Sequence, residues 1–140
     1  RFLISQGEVP EKACCIYATA PLISTEKIVE GFKIINKYNS SSCFTVTSYS
    51  FPILRSLSID ESGFLKMNWP ENKLTRSQDL PEAYHDAGQF YWLQVDKFLE
   101  NPSLYYEDSR GVILQRNHVQ DIDTMEDWEV AEQIYKNINS

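Results

Sequence analysis

Apolar residues recur along this chain in distinct rhythms, and each rhythm predicts an element. Ala13-Cys14-Cys15-Ile16-Tyr17 is a short continuous apolar run between Pro10 and Pro21, the pattern of a strand buried on both faces. Ile28, Val29, Phe32, Ile35 and Tyr38 then fall at helical spacing behind Ser24 or Thr25 as a cap, and the polar cluster from Asn36 to Ser42 ends the helix. Cys43-Phe44-Thr45-Val46-Thr47-Ser48-Tyr49 is β-branched and aromatic. It completes a strand–helix–strand unit of the kind that builds a parallel sheet.

From Phe51 the rhythm becomes alternation. Leu57 and Ile59 alternate with Ser56 and Ser58, the turn Asp60-Glu61-Ser62-Gly63 follows, and Leu65, Met67 and Trp69 alternate with Lys66 and Asn68. This predicts a β-hairpin within 51–75, apolar on one face, which either folds back on its own domain or is covered by a second copy of the protein. A polar loop from Thr75 leads into an aromatic strand ending near Trp92. Val95 to Leu99 predicts one helical turn stopped by Asn101-Pro102, and Gly111-Val112-Ile113-Leu114-Gln115-Arg116 a further short strand. A closing helix is expected from about Met125, with Trp128, Ala131, Ile134, Tyr135 and Ile138 on one face. The whole reads as α/β, one domain or one piece of one, without internal repeats.

Composition narrows the classes. With 140 residues, 42% of them hydrophobic and 13% aromatic, the chain can bury a core of its own. A formal net charge of -7 opposes binding to nucleic acid or an anionic membrane. No apolar run is long enough to span a bilayer, and Arg1 to Gly7 lacks the apolar core of a signal peptide, so the expected location is the cytoplasm. Cys14, Cys15 and Cys43 cannot all pair within the chain and are expected as free thiols. No CxxC or HxxxH spacing supports zinc.

Candidate chemistry gathers in three places. Small residues at Ala18-Thr19-Ala20-Pro21, just past a strand, let a ligand approach the backbone. Arg76 offers a planar fork for a carboxylate or phosphate, with Gln78 two residues on; the alternative for a loop arginine is pairing with a nearby acid. His85 beside Asp86 is read as a packed or surface histidine, because neighbours in a strand face opposite ways. Asp121 and Asp123 flank Ile122, so an extended backbone aims both carboxylates the same way, as two ligands of one hard cation. The competing reading is a helix cap, with Thr124 and Asp127 forming a capping box.

These segments, in order, resemble a known family, the acylneuraminate cytidylyltransferases, which activate nine-carbon acidic sugars. Cys14 to Pro21 is similar to the family's strand and sugar-site turn. Arg76-Ser77-Gln78-Asp79-Leu80-Pro81, with Tyr84-His85-Asp86-Ala87-Gly88-Gln89-Phe90-Tyr91, is similar to its second sugar-contacting segment. Asp121-Ile122-Asp123-Thr124 with Asp127-Trp128 resembles its metal motif. The resemblance implies the C-terminal portion of a Rossmann-like nucleotide-diphosphosugar transferase fold, mainly a parallel sheet with the inserted hairpin 51–75 used for dimerisation.

It further implies transfer of CMP from CTP to the sugar's anomeric hydroxyl, with Mg2+ on Asp121 and Asp123 and no separate catalytic side chain. Arg76 is then expected at the sugar carboxylate, and Gln78, Tyr17 and Thr19 at its hydroxyl or acylamino groups. The partners implied are CTP, an acidic nine-carbon sugar and a second subunit in a homodimer. Two departures from relatives that activate sialic acid, Tyr17-Ala18-Thr19-Ala20-Pro21 for Gln-Pro-Thr-Ser-Pro and Ala87-Gly88 for Asn-Gly, favour pseudaminic acid over sialic acid. The family's Gly- and basic-rich triphosphate loop has no counterpart here, so the chain is expected to be an inactive fragment on its own. A non-catalytic module that pairs with a full-length subunit through the hairpin, and a sialic acid cytidylyltransferase, are the alternative expectations.

Overall fold

A computed structural model describes residues 5–138 of the chain. Its elements are β1 (Lys12–Ile16), α1 (Thr25–Tyr38), β2 (Ser42–Ser48), β3 (Leu57–Ile59), β4 (Leu65–Met67), β5 (Tyr84–Gln94), α2 (Val95–Glu100), β6 (Arg110–Leu114) and α3 (Met125–Ile138). The chain divides into two compact units. One runs up to Thr47 and resumes at Asp86; the other is Ser48–His85. Among the described residues no helix is long and apolar enough to cross a membrane.

Four strands form one sheet in the order β1-β5-β2-β6. β2 and β6 are parallel, in register Cys43↔Arg110 to Thr47↔Leu114. β1 and β5 are antiparallel, from Lys12↔Gln94 to Ile16↔Phe90. β5 also runs against β2, since Gln94 N donates to Ser41 O at 3.0 Å while Gln89 N donates to Thr45 Oγ1 at 3.2 Å. The sheet is therefore mixed, which corrects the expectation of a mainly parallel one. The strand–helix–strand unit is present, but β5 lies between its two strands. Apolar spacing reports which residues are buried and carries no information on strand direction, which the connection sets.

β1 departs in a second way. It was expected to be buried on both faces, yet it is an edge strand, with Cys15 exposed and Ile16 51% exposed. A continuous apolar run looks the same at the edge as in the middle of a sheet. β2 is buried on both faces, with Cys43, Phe44, Thr45 and Thr47 all buried. Its polar side chains are satisfied internally: Ser42 Oγ donates to Leu104 O at 2.9 Å and Thr47 Oγ1 to Leu114 O at 3.0 Å.

α1 covers one face of the sheet. Ser24 caps it, its hydroxyl accepting from Lys27 N at 3.3 Å, and Asn39 in the left-handed region (φ 49°) ends it. Ile35 joins Cys43, Ala87, Phe90, Val112 and Leu114 in the core. Gly31 lets the helix sit close, since a Cβ there would stand 2.8 Å from Phe90 Cε2 and 2.9 Å from Trp92 Cδ1. Trp92 Nε1 in turn donates to Ile28 O at 2.9 Å.

In the second unit the expected hairpin forms from β3 and β4, pairing Leu57 with Met67 and Ile59 with Leu65. Asp60 Oδ1 accepts from Ser62 N at 3.0 Å and Phe64 N at 2.9 Å, and Gly63 takes φ +85°, so the turn residues close the loop. Its apolar side chains stay open: Ile59, Phe64 and Leu65 are each about two-thirds exposed or more.

Candidate functional site

Within the stretch from Asp121 to Asp127 the expected capping box forms. Asp127 is the cap. Its Oδ2 accepts from Thr124 N at 2.9 Å, Thr124 Oγ1 at 2.7 Å and Asp123 N at 3.2 Å, while Asp127 N donates back to Thr124 Oγ1 at 3.2 Å. Gln120 Nε2 adds a donor to Oδ1 at 3.0 Å. The Thr124 hydroxyl and then the Thr124 amide hold this carboxyl below the usual carboxylate range.

Asp121 and Asp123 are left out of that box, and both are exposed. Among the described residues Asp121 Oδ1 accepts only from Ile122 N, at 3.1 Å, and the Asp123 carboxylate accepts no hydrogen bond. Between them Ile122 is half-buried and lines a cavity of about 280 Å³ with Pro21, Trp128 and Tyr135. Pro21, at the end of the turn after β1, thus shares this cavity with Ile122, whereas neither Asp121 nor Asp123 lines it. No group of three or more His, Cys, Asp or Glu residues able to hold a metal occurs among the described residues. The chain offers a carboxylate pair, a donor set that fits a hard cation whose other ligands are water and phosphate oxygens.

Tyr17 and Thr19 lie in the turn leaving β1. Tyr17 N donates to Gln89 O at 3.0 Å and Ala20 N to Tyr17 O at 3.2 Å, which fixes the backbone while both side chains stay exposed. The Tyr17 ring rests on that of Tyr91, with centroids 5.1 Å apart. Burial first, then hydrogen bonding to Asp86 and the neighbouring Tyr17 hydroxyl, push the Tyr91 phenol up. The Asp86 hydrogen bond and then burial push Tyr105 up to about 12. Burial likewise raises the thiols, Cys14 to about 11 and Cys43 to about 12, so neither is a thiolate nucleophile at neutral pH.

Arg76 and Gln78 belong to the other unit. Arg76 is paired with Asp79 through two contacts, Nε to Oδ2 at 2.7 Å and Nη2 to Oδ1 at 3.2 Å, and both side chains are exposed. This is the pairing with a nearby acid considered from sequence. An exposed pair of this kind holds its partner weakly, and a ligand carboxylate can take the acid's place. Gln78 is exposed and lines a cavity of about 250 Å³ near Pro81 and Glu82.

Sequence reasoning missed Arg55. It lines an open cavity of about 800 Å³ with Ser50, Ser56, Ser77 and His85, whose ring packs on Tyr49 at 4.9 Å. Among the described residues it makes no ion pair. A signal was present, since Arg55 is the single basic residue between Lys37 and Lys66.

No protein-family model matches the chain. It is 37% identical over 134 residues to a pseudaminic acid cytidylyltransferase of Campylobacter jejuni subsp. jejuni serotype O:23/36 (strain 81-176), covering 96% of this chain and 58% of that protein. A protein of the same name from serotype O:2 of that subspecies is 36% identical with the same coverage. A Helicobacter pylori protein named pseudaminic acid cytidylyltransferase and UDP-2,4-diacetamido-2,4,6-trideoxy-beta-L-altropyranose hydrolase is 32% identical over 111 residues, which are 79% of this chain and 21% of that protein. The chain thus spans less than two-thirds of the relatives it matches.

Proposed function

We propose that this chain, a relative of the pseudaminic acid cytidylyltransferases, is the C-terminal portion of an enzyme that joins pseudaminic acid to CMP. The observation that carries this is the match to proteins of that name over 96% of the chain, which takes in the turn at Thr19 together with the exposed carboxylates of Asp121 and Asp123. In the reaction the sugar's anomeric oxygen attacks the α-phosphorus of CTP. The new bond is O–P, the α–β phosphoanhydride breaks, pyrophosphate leaves with its electron pair, and the hydroxyl proton passes to solvent. Such transfers depend on positioning and on neutralising phosphate charge rather than on a covalent intermediate.

Asp121 and Asp123 would hold a magnesium ion, which when bound supplies charge stabilisation on the phosphate oxygens. Asp127 is spent on the helix cap and is excluded from that role. Tyr17 and Thr19 contact the sugar's hydroxyl or acylamino groups. Arg76, exchanging Asp79 for the ligand, and Arg55, which makes no ion pair among the described residues, supply cations for the sugar carboxylate, with Gln78 two residues beyond Arg76. The wider fold is Rossmann-like, and the exposed apolar face of β3 and β4 pairs two subunits into a homodimer.

The metal assignment is tested by Asp123→Ala in the full-length protein carrying this sequence. Turnover is expected to fall by more than an order of magnitude, with the remainder no longer rising with added magnesium. Unchanged turnover and unchanged magnesium dependence would remove Asp123 from the metal site. A second reading, a non-catalytic module that associates through the hairpin, is favoured by the exposed Ile59, Phe64 and Leu65 alone.

A further inference from the structure

Behind the exposed Tyr17 lies an aromatic cluster tied together by one acid, which the proposed reaction leaves without a role. Asp86, half-buried near the start of β5, has both carboxylate oxygens engaged. Oδ1 accepts from Gly88 N at 2.8 Å, and Oδ2 accepts from Tyr91 OH and Tyr105 OH, each at 2.7 Å. Gly88 takes φ +64°, a bend that glycine adopts without strain and that carries the chain from Asp86 back towards Tyr91.

A carboxylate only accepts, so both phenols must donate to it, and each ring is held by its far end. Tyr91 is 2% exposed and stacked on Phe44 at 5.7 Å, while Tyr105 meets Phe44 edge-on at 5.3 Å. The ring of Tyr91 is therefore fixed by packing at one end and by Asp86 at the other. Tyr17, still 42% exposed, leans on that fixed ring. Asp86 spends a half-buried charge and two strong hydrogen bonds on holding aromatic rings whose outermost member faces solvent. Core packing alone does not require that outlay, since Phe at either tyrosine position would fill the same volume.

We propose that Asp86 is a positioning residue for the acceptor sugar: through Tyr91 and Tyr105 it holds the exposed Tyr17 ring in the orientation that meets the sugar. The proposal rests on Tyr17 being a sugar contact. Asp86 itself touches no substrate.

The test uses this chain, labelled with 13C at tyrosine Cζ, assigned by single Tyr→Phe substitutions and titrated with pseudaminic acid by NMR. The sugar is expected to shift the Tyr17 signal saturably. Asp86→Asn, which keeps the size of the side chain and removes its charge, displaces the Tyr17 signal of the free protein and weakens sugar binding roughly tenfold, while circular dichroism stays unchanged. Tyr91→Phe acts in the same direction, and it decides the outcome if Asp86→Asn does not fold. A saturable Tyr17 shift with unaltered affinity in these variants overturns the positioning role and leaves Tyr17 a sugar contact. A Tyr17 signal that responds to Asp86→Asn but not to sugar overturns the contact, and the proposal with it.

Discussion

Three aspartates within seven residues, Asp121, Asp123 and Asp127, carry the same charge and do different things. Asp127 is distinguished by its donors: two from Thr124, one from Asp123 N and one from Gln120. Because its folded pKa is lowered, its contribution to stability is fully present above the ordinary carboxylate value, about 3.9, and is lost as pH falls through the lower folded value. Asp127→Asn should therefore melt several degrees below wild type at pH 7, with the gap closing on acidification below about pH 4 in a thermal-melt series. A gap independent of pH would assign the effect to lost geometry rather than lost charge. The capping box was legible because its partners lie three residues apart in the chain. Arg55 was not, because what marks it is a cavity shared with Ser77 and His85, which sequence does not bring near.

At the scale of elements, Gly31 shows where local preference and packing oppose each other. Alanine in a helix interior gains about 1 kcal/mol over glycine. Here its Cβ would stand 2.8 Å from Phe90, which is fully buried and has no room to yield. Overpacking of this kind costs about 1–3 kcal/mol, so Gly31→Ala should destabilise on balance, read as a lower urea midpoint at unchanged slope. A raised midpoint would mean that α1 moves away from the sheet freely. The helices and strands themselves followed from apolar spacing, and α1 and the hairpin appear where the rhythm put them. The place of β5 between β1 and β2 did not follow, nor did the edge position of β1. Both depend on which strands meet after a long excursion, and the alternation of side chains is the same for either partner.

For the whole molecule, the exposed hairpin and the span of the match set the next prediction. The chain covers 58% of the relatives named for the activity, and apolar residues remain exposed on the hairpin. If that hairpin pairs two subunits, the protein should sediment as a dimer, and the double substitution Ile59→Lys with Leu65→Lys, on directly paired positions of one face, should convert it to a monomer without loss of secondary structure. A dimer that persists in the double variant would place the interface elsewhere. The candidate segments at Thr19, Arg76 and Asp121 could be singled out from sequence because each is short, whereas assembly into a site depends on residues brought together across the fold.

The central claim is the reaction itself. Its most direct test is NMR-detected conversion of CTP and pseudaminic acid by the full-length protein carrying this sequence, in the presence of magnesium. The account predicts CMP-pseudaminic acid and an equal amount of pyrophosphate, with sialic acid a poor acceptor. Turnover absent with pseudaminic acid, or faster with sialic acid, would contradict it.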